Sequence, residues 1–327
     1  MRRKKLALSQ QPSNDGSAEL NGSVSPSELG LGGRGWLGWV GMILALGALG
    51  YYLVALRAQA AVLEEISWGR SAVAWIVLCV CIYPLTYAAG AAIWCLMLRS
   101  IGQTLHFRAA LAIGAVSQFG KYLPGNLAHH VGRIALARRQ GLGIDAVLTS
   151  MLLETANLLI AGTLVALLLL LPNVEGTAPL ASRSNLVAGI AVGMLIVVAA
   201  ALALLWRGYR QRQAAAVGRS RLALCLGMQC GAFLVHGMIA VLLVTGVLGL
   251  QQGHFLALTG MFAFAWVAGF VTPGAPAGIG VREAIISLGL APLLGTGVAL
   301  TLAALLRTVS ILGDLLTFAI GLALSRR

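Results

Sequence analysis

The sequence predicts an all-α polytopic membrane protein with about six full spans and two re-entrant helical hairpins. Of its 327 residues, 59% are apolar and only 10% are charged. That charge content is too low to cover a soluble globular surface, which excludes a soluble enzyme. Long uncharged runs recur along the chain, and they are typical of helices that cross a bilayer. Two further apolar segments are interrupted by Pro-Gly pairs, which stop a helix.

The first 35 residues predict a disordered cytoplasmic tail. They begin with a basic cluster and continue as a tract rich in Ser, Gly, Asn and Pro, a composition typical of disorder. About thirty polar residues separate the basic start from the first apolar run, so the segment does not have the pattern of a cleavable signal peptide. Residues 36–327 then form one predicted transmembrane domain.

Six segments are long enough to cross about 30 Å of hydrocarbon as helices. Pro84 is expected to kink the second of them. The six predicted spans are residues 36–56, 71–98, 146–171, 185–206, 222–249 and 298–324.

The interrupted segments, residues 105–139 and 255–292, predict the two hairpins. Each half is short for a full crossing, and the bilayer tolerates open backbone only where it is buried in protein. The predicted hairpin tips are Pro124, Gly125, Pro273 and Gly274. An alternative with eight spans, in which the second limb of each segment crosses fully, satisfies the same topology.

Charge in the loops predicts the orientation. Arginine and lysine are concentrated before the first span, between spans four and five, and at the end of the chain, whereas the loops 57–70 and 172–184 are nearly neutral. The positive-inside rule then places both termini in the cytoplasm, and the expected membrane is the cytoplasmic (inner) membrane of a prokaryote. The net charge of +13 indicates contact with anionic head groups. Nucleic acid is a poor partner because no basic patch contains interleaved aromatic residues.

The two interrupted segments match each other and predict an internal repeat. Arg133 follows Pro124 by nine residues, and Arg282 follows Pro273 by nine residues. The repeat units cover about residues 71–171 and 222–324, and the predicted topology gives them opposite orientations. Paired interruptions in opposite halves of a membrane chain indicate the central site of a transporter.

The same segments carry motifs that resemble a known family. Lys121-Tyr-Leu-Pro-Gly125 with Gly132-Arg133, and Pro273 followed by Ala277-Gly-Ile-Gly-Val-Arg-Glu283, are similar to the two signature regions of the lysylphosphatidylglycerol synthase transmembrane family. That family includes the flippase half of the multiple peptide resistance factor. The resemblance covers roughly residues 36–324 and implies lipid translocation.

Two departures from the family are present. The second region usually reads Gly-Gly-x-Gly-x-Arg-Glu, and here Ala277 replaces the first glycine, which is expected to tighten the tip. No soluble aminoacyl-transferase domain follows the membrane portion in this sequence. The resemblance therefore argues against lipid aminoacylation by this chain.

Arg133 and Arg282 are the first candidates for a substrate site. A cation at membrane depth costs about 3 kcal/mol or more unless it is paired, so an intramembrane arginine is functional by default. A guanidinium group binds phosphate through two parallel hydrogen bonds. One arginine in each hairpin could pass a lipid phosphate between leaflets. Alternatively, both arginines pair with Glu154, Glu283 or Asp314 and lock the hairpins in place.

Other polar residues of the predicted spans could join this site. Lys121 could assist with phosphate or extend toward the interface. Glu154 could be the counter-ion of Arg133 or a proton carrier. Arg307 and Asp314 lie about two turns apart on one helix face, where each is expected to pair with another element, either in a structural network or along a substrate path.

No catalytic role is predicted for the histidines and cysteines. His129 and His130 are adjacent and are expected to point to different sides of a helix, with capping or interfacial roles, whereas His236 is expected to be a satisfied interhelical donor. The five cysteines lie in apolar stretches, so no disulfide, metal site or cofactor is predicted.

These features predict a flippase-like or scramblase-like transporter of a phosphate-bearing lipid. Its substrate would be a phospholipid, a modified phosphatidylglycerol or a polyprenyl-phosphate-linked glycan. The sequence has no Walker-type loop, so energy would come from a gradient, from a consuming reaction or from none. The alternatives are a membrane enzyme or enzyme subunit acting on a polyprenyl phosphate, with Glu283 or Asp145 as acid, and a scaffold for a separate synthase or glycosyltransferase.

Overall fold

The computed structural model describes residues 69–122, 128–170, 218–251, 254–272 and 275–326, with scattered single positions in 47–57 and 193–203. All of them belong to one compact unit, Leu37–Arg327. The predicted tail and the four predicted tip residues Pro124, Gly125, Pro273 and Gly274 lie outside the described residues. Most of the predicted spans 36–56 and 185–206 lie outside them as well.

The described residues form helices and short 3₁₀ turns, and no strand occurs among them. The helices are α1 Arg70–Ile82, α2 Pro84–Ser100, α3 Phe107–Gln118, α4 Ala128–Arg138, α5 Ile144–Leu170, α6 Arg219–Gly246, α7 Phe255–Val271, α8 Val281–Leu294 and α9 Thr296–Ser325. A 3₁₀ turn, Phe119–Tyr122, follows α3, and a second, Pro276–Gly278, precedes α8.

Four helical stretches have the length and hydropathy needed to cross a membrane. They are Arg70–Ser100, Ile144–Leu170, Ser220–Gly246 and Thr296–Ser325, and they coincide with four of the six predicted spans. The first consists of α1 and α2, which meet at Pro84, because proline interrupts the hydrogen-bond ladder and then fits the first turn of the next helix. The chain is therefore an all-helical, multi-pass membrane protein.

Both interrupted segments have the predicted order of helix, break and helix. In the first, α3 has 12 residues and α4 has 11. At 1.5 Å per residue each is about 17 Å long, short of the roughly 30 Å of a hydrocarbon core. In the second, α7 has 17 residues and α8 has 14. The two limbs of each segment contact each other, as hairpin limbs do.

The first limb of each hairpin packs against the long helix that follows the other hairpin. The first limb of the first hairpin, α3, packs against α9, which follows the second hairpin. The first limb of the second hairpin, α7, packs against α5, which follows the first hairpin. The two 3₁₀ turns also contact each other. Each hairpin is therefore held by the long helix of the other half of the chain.

Small residues allow the helices to approach closely in the α3–α9 and α5–α7 contacts. A Cβ atom added to Gly321 of α9 would lie 2.7 Å from the Cβ of Ala115 on α3. A Cβ atom added to Gly162 of α5 would lie 2.6 Å from a methyl group of Val267 on α7. Both distances are shorter than a real Cβ contact, so a larger residue at either position would push the two helices or their side chains apart. Membrane helices rely on such close approach because apolar burial gives no net gain between helices in lipid.

The hydrophobic core consists of several buried clusters around the membrane helices. The largest joins α1, α6, α7, α8 and α9, and a second joins α2, α3, α4 and α5. Trp94 of α2 is fully buried in the second cluster, and this fixes the aromatic ring against which the site is built.

The turn before α8 contains left-handed backbone. Ala277 has φ 50° and ψ 21°, and Gly278 and Gly280 have φ of 68° and 84°. Glycine adopts such angles freely, whereas a residue with a Cβ atom pays about 1–2 kcal/mol for them. The alanine at position 277 therefore strains the turn.

We predict that Ala277→Gly raises stability by about 1 kcal/mol, because glycine removes the clash of the left-handed conformation. The measurement is the thermal unfolding midpoint in detergent, with an expected rise of about 2 °C. Ala303→Gly is the matched control, since Ala303 is buried in the helical backbone of α9 and the same change there should lower the midpoint. A lower midpoint for Ala277→Gly would contradict the strain.

Candidate functional site

A cavity of about 240 Å³, lined by both apolar and charged side chains, lies between the hairpins and the long helices. Six of the seven predicted site residues line it, and the seventh, Glu283, lines a smaller cavity of about 40 Å³ that shares several walls with the first. The charged residues of the main cavity are Lys121, Arg133, Glu154, Arg282, Arg307 and Asp314. The structure thus brings residues from both halves of the sequence to one place.

Arg133 of α4 is paired and stacked. One of its terminal nitrogens donates a hydrogen bond of 2.6 Å to Oε2 of Glu154 on α5, so Glu154 is the expected counter-ion. The guanidinium carbon lies 3.9 Å from the ring centroid of Trp94, a cation–π distance. The indole N–H of Trp94 donates to Oγ of Ser150 at 2.9 Å, which fixes the ring. The Nε of Arg133 is buried and has no hydrogen-bond partner among the described residues.

Arg307 of α9 binds Glu283 of α8. The Nε of Arg307 donates to Oε1 of Glu283 at 2.6 Å, and the backbone N–H of Gly280 donates to Oε2 at 2.7 Å. Both carboxylate oxygens are therefore occupied, one by a cation and one by the capping of α8. A terminal nitrogen of Arg307 is buried without a hydrogen-bond partner among the described residues.

Lys121 and Asp314 form a third ion pair, with 2.7 Å between Nζ and Oδ2. The Tyr87 hydroxyl donates to Oδ1 of Asp314 at 2.6 Å, and the Tyr83 hydroxyl donates to the same oxygen at 3.3 Å. Lys121 also donates to the Tyr87 hydroxyl at 3.1 Å. Lys121 therefore points into this network and does not extend to the interface. Arg307 and Asp314 each pair with another element, as expected.

Two of the ion pairs occupy equivalent places in the two halves. Arg133–Glu154 joins the second limb of the first hairpin to the long helix that follows it, over a separation of 21 residues. Glu283–Arg307 likewise joins the second limb of the second hairpin to the helix that follows it, over 24 residues. Here the hairpin limb carries the carboxylate and the long helix carries the cation. Each pair fixes a hairpin limb to its neighbouring span. The alternative in which the hairpin arginines are locked by carboxylates thus holds for Arg133.

Arg282 differs from the other cations, because none of the ion pairs among the described residues includes it. Among the described residues, no carboxylate oxygen lies within 4.0 Å of it, and its buried Nε has no hydrogen-bond partner. Its guanidinium carbon lies 4.8 Å from the ring centroid of Trp266. A Cβ atom added to Gly269 or Gly278 would lie 2.8 Å from this side chain, so two glycines form the channel that it occupies.

The charges that the described residues bring to the site do not balance. The site contains four cationic side chains, Lys121, Arg133, Arg282 and Arg307, and three carboxylates. The three carboxylates pair with Lys121, Arg133 and Arg307. One positive charge is in excess when the histidines are neutral. A desolvated cation without a counter-ion is costly, and an anion in the cavity would relieve that cost.

The histidines lie closer together than the sequence suggests. The rings of His129 and His130 are 3.7 Å apart, both line the cavity, and each has a buried Nδ1 without a partner among the described residues. The expectation that they point to different sides was wrong, because in the first turn of α4 both rings face the cavity. His236 lies 2.8 Å from the carbonyl oxygen of Ala232 in its own helix and stacks on Phe262, so its polar contact is not interhelical.

Sequence reasoning missed the aromatic residues of the site. Trp94 and Trp266 are embedded in apolar runs, where a tryptophan cannot be told from an ordinary core residue. Tyr83 and Tyr87 gave a usable signal, since their spacing of four residues places both hydroxyl groups on one helix face beside Pro84.

The fold and the cavity define a class of protein, a multi-pass helical membrane protein with a buried cationic cavity. Residues 36–317 match the family model described as the lysylphosphatidylglycerol synthase TM region. The chain belongs to this family, as the motifs predicted, and the family is a membrane domain tied to lipid modification and translocation. No curated protein sequence matches the chain.

We predict that Glu154→Gln lowers the free energy of unfolding by about 3 kcal/mol, because it leaves Arg133 buried without its counter-ion. The double variant with Arg133→Gln removes both charges and should recover much of that loss. Reversible unfolding in mixed micelles measures both values. A double variant less stable than Glu154→Gln alone would show that the pair does not carry the effect.

Proposed function

We propose that this protein binds the phosphate of an anionic lipid in the cationic cavity and moves the lipid between the two leaflets, as a flippase or scramblase. The observation that carries the proposal is the cavity lined by three arginines, each with a buried N–H that no described residue accepts. Guanidinium forks match phosphate oxygens in charge and geometry. The substrate is a phospholipid or a polyprenyl-phosphate lipid.

The packing of the hairpins supports an inverted repeat and a transport mechanism. Each hairpin's first limb rests on the long helix of the other half, and the equivalent ion pairs tie each second limb to its own half. A rocking motion of one half against the other would then expose the arginines to one leaflet at a time. In this proposal the two halves have opposite orientations in a prokaryotic cytoplasmic membrane, with both termini in the cytoplasm.

The state of the carboxylates favours a transporter over an enzyme. General acid catalysis or metal binding requires a carboxylate that is available to the substrate. Glu154, Glu283 and Asp314 are each held by a cation in the described part of the chain. These ion pairs therefore support translocation over catalysis in this cavity.

We predict that Arg282→Gln slows lipid exchange by roughly ten- to hundred-fold, the range expected for the loss of a hydrogen bond to a charged group. Proteoliposomes with fluorescent phosphatidylglycerol and an impermeant quencher measure the rate. Arg282→Lys retains the charge without the fork, so we expect an intermediate rate.

The controls separate function from folding. Arg139→Gln changes an exposed arginine outside the cavity and should leave the rate unchanged. The thermal midpoint of Arg282→Gln should not fall, because Arg282 makes no ion pair with a described residue. Wild-type rates in a folded Arg282→Gln variant would exclude this arginine from transport.

Cysteine labelling in cells tests the proposed topology. The re-entrant arrangement predicts that Gln103→Cys and Gln140→Cys, on either side of the first hairpin, react only from the cytoplasm. Gln251→Cys, before the second hairpin, should react only from outside. An impermeant maleimide, with the parent protein as the labelling baseline, measures each side. Labelling of positions 103 and 140 from opposite sides would instead support eight spans.

A further inference from the structure

Each described carboxylate of the site already neutralises a cation. Both oxygens of Glu283 accept hydrogen bonds, from Arg307 and from the backbone of Gly280. Both oxygens of Asp314 are contacted, one by Lys121 and the other by two tyrosine hydroxyls. Glu154 is held by Arg133 at 2.6 Å. Among the described residues, an ammonium group entering the cavity would therefore meet only carboxylates that already neutralise a cation.

Of the six buried side-chain atoms that have no hydrogen-bond partner among the described residues, three are nitrogens of arginines that line the cavity. A nitrogen on each of Arg133, Arg282 and Arg307 is buried without a partner among the described residues. A phosphate oxygen can accept from such groups, whereas an ammonium group can only donate and would lie beside like charges. Juxtaposed like charges are the usual way in which a site rejects the wrong partner.

The volume of the cavity limits the size of the head group. At about 240 Å³ it is smaller than the roughly 300–1,000 Å³ of pockets that enclose drug-sized ligands. A phosphate with a small polar substituent suits this space, whereas a head group extended by an amino acid would have to project out of it.

From this geometry we infer that the site selects a lipid head group that carries phosphate and no amine, and that it discriminates against aminoacylated phosphatidylglycerol. The inference rests on the proposed function and specifies its substrate class. It separates this chain from the lipid in the family's description, because a lysyl ester adds two ammonium groups to the phosphate. Phosphatidylethanolamine, with one ammonium group, should rank between the two.

Native mass spectrometry of the detergent-solubilised full chain tests the ranking directly. Phosphatidylglycerol, phosphatidylethanolamine and lysylphosphatidylglycerol with the same acyl chains are titrated in turn. We expect phosphatidylglycerol to bind at least ~10-fold more tightly than the lysyl lipid, given the cost of like charges in a buried site. Equal or tighter binding of the lysyl lipid would overturn the inference and leave the proposed transport intact.

A near-isosteric variant tests whether charge is the cause. Gln229 of α6 lines the cavity, and Gln229→Glu adds one carboxylate there. We expect the preference for phosphatidylglycerol to shrink by ~10-fold or more, as the new carboxylate offers a counter-ion to the ammonium groups. Gln251→Glu makes the same change at an exposed position outside the cavity and should preserve the preference. An unchanged preference in folded Gln229→Glu would overturn the inference, and if that variant does not fold, the wild-type ranking decides.

Arg282→Gln separates the failure of this inference from the failure of the proposed function. Loss of tight phosphatidylglycerol binding in this variant supports the arginine site itself. Unchanged phosphatidylglycerol binding would overturn both proposals, because the lipid would then be bound elsewhere. If phosphatidylglycerol binding depends on Arg282 but the wild-type protein does not prefer this lipid to the lysyl lipid, only the inferred selectivity is overturned.

Discussion

Burial of positive charge is the constraint on which the site depends. Each cation at membrane depth must meet an opposite charge or accept a large desolvation cost. Arg133, Arg307 and Lys121 meet it by pairing with carboxylates on other elements. These pairs also determine where the hairpins sit, since every one joins a hairpin to a long helix. The same interactions therefore hold the fold and define the walls of the cavity.

The excess charge arises from an imperfect match between the halves. By its distance from the proline, Arg282 corresponds to Arg133. By its place in an ion pair, however, Glu283 corresponds to Arg133, because the hairpin residue of the pair is the cation in the first half and the carboxylate in the second. Arg282 precedes Glu283 in sequence and is left outside the exchanged pair. It is stabilised by the face of Trp266 and by the space that two glycines provide. This difference between the two ion pairs leaves Arg282 without an ion pair among the described residues.

Backbone conformation links the second hairpin to this charge. Three residues with positive φ before α8 turn the chain sharply, so that α8 begins beside the cavity. Glu283 then caps the helix with one oxygen and holds Arg307 with the other. Gly278, within the same turn, leaves the room that Arg282 occupies. The strained turn therefore also determines the capping of α8 and the position of Arg282, the cavity arginine that no ion pair of the described residues includes.

The sequence alone determined the membrane class, the family, the breaks in the two hairpins and the charged candidates, because these depend on composition, helical period and short motifs. It also predicted the pairing of Glu154 with Arg133. Only the tertiary structure decided which cation is left over. Four cations and three carboxylates allow many pairings, and contacts such as Tyr87 to Asp314 join residues 227 positions apart. Neither spacing nor propensity carries information about distances of that kind, and the stacking of arginines on tryptophans was hidden for the same reason.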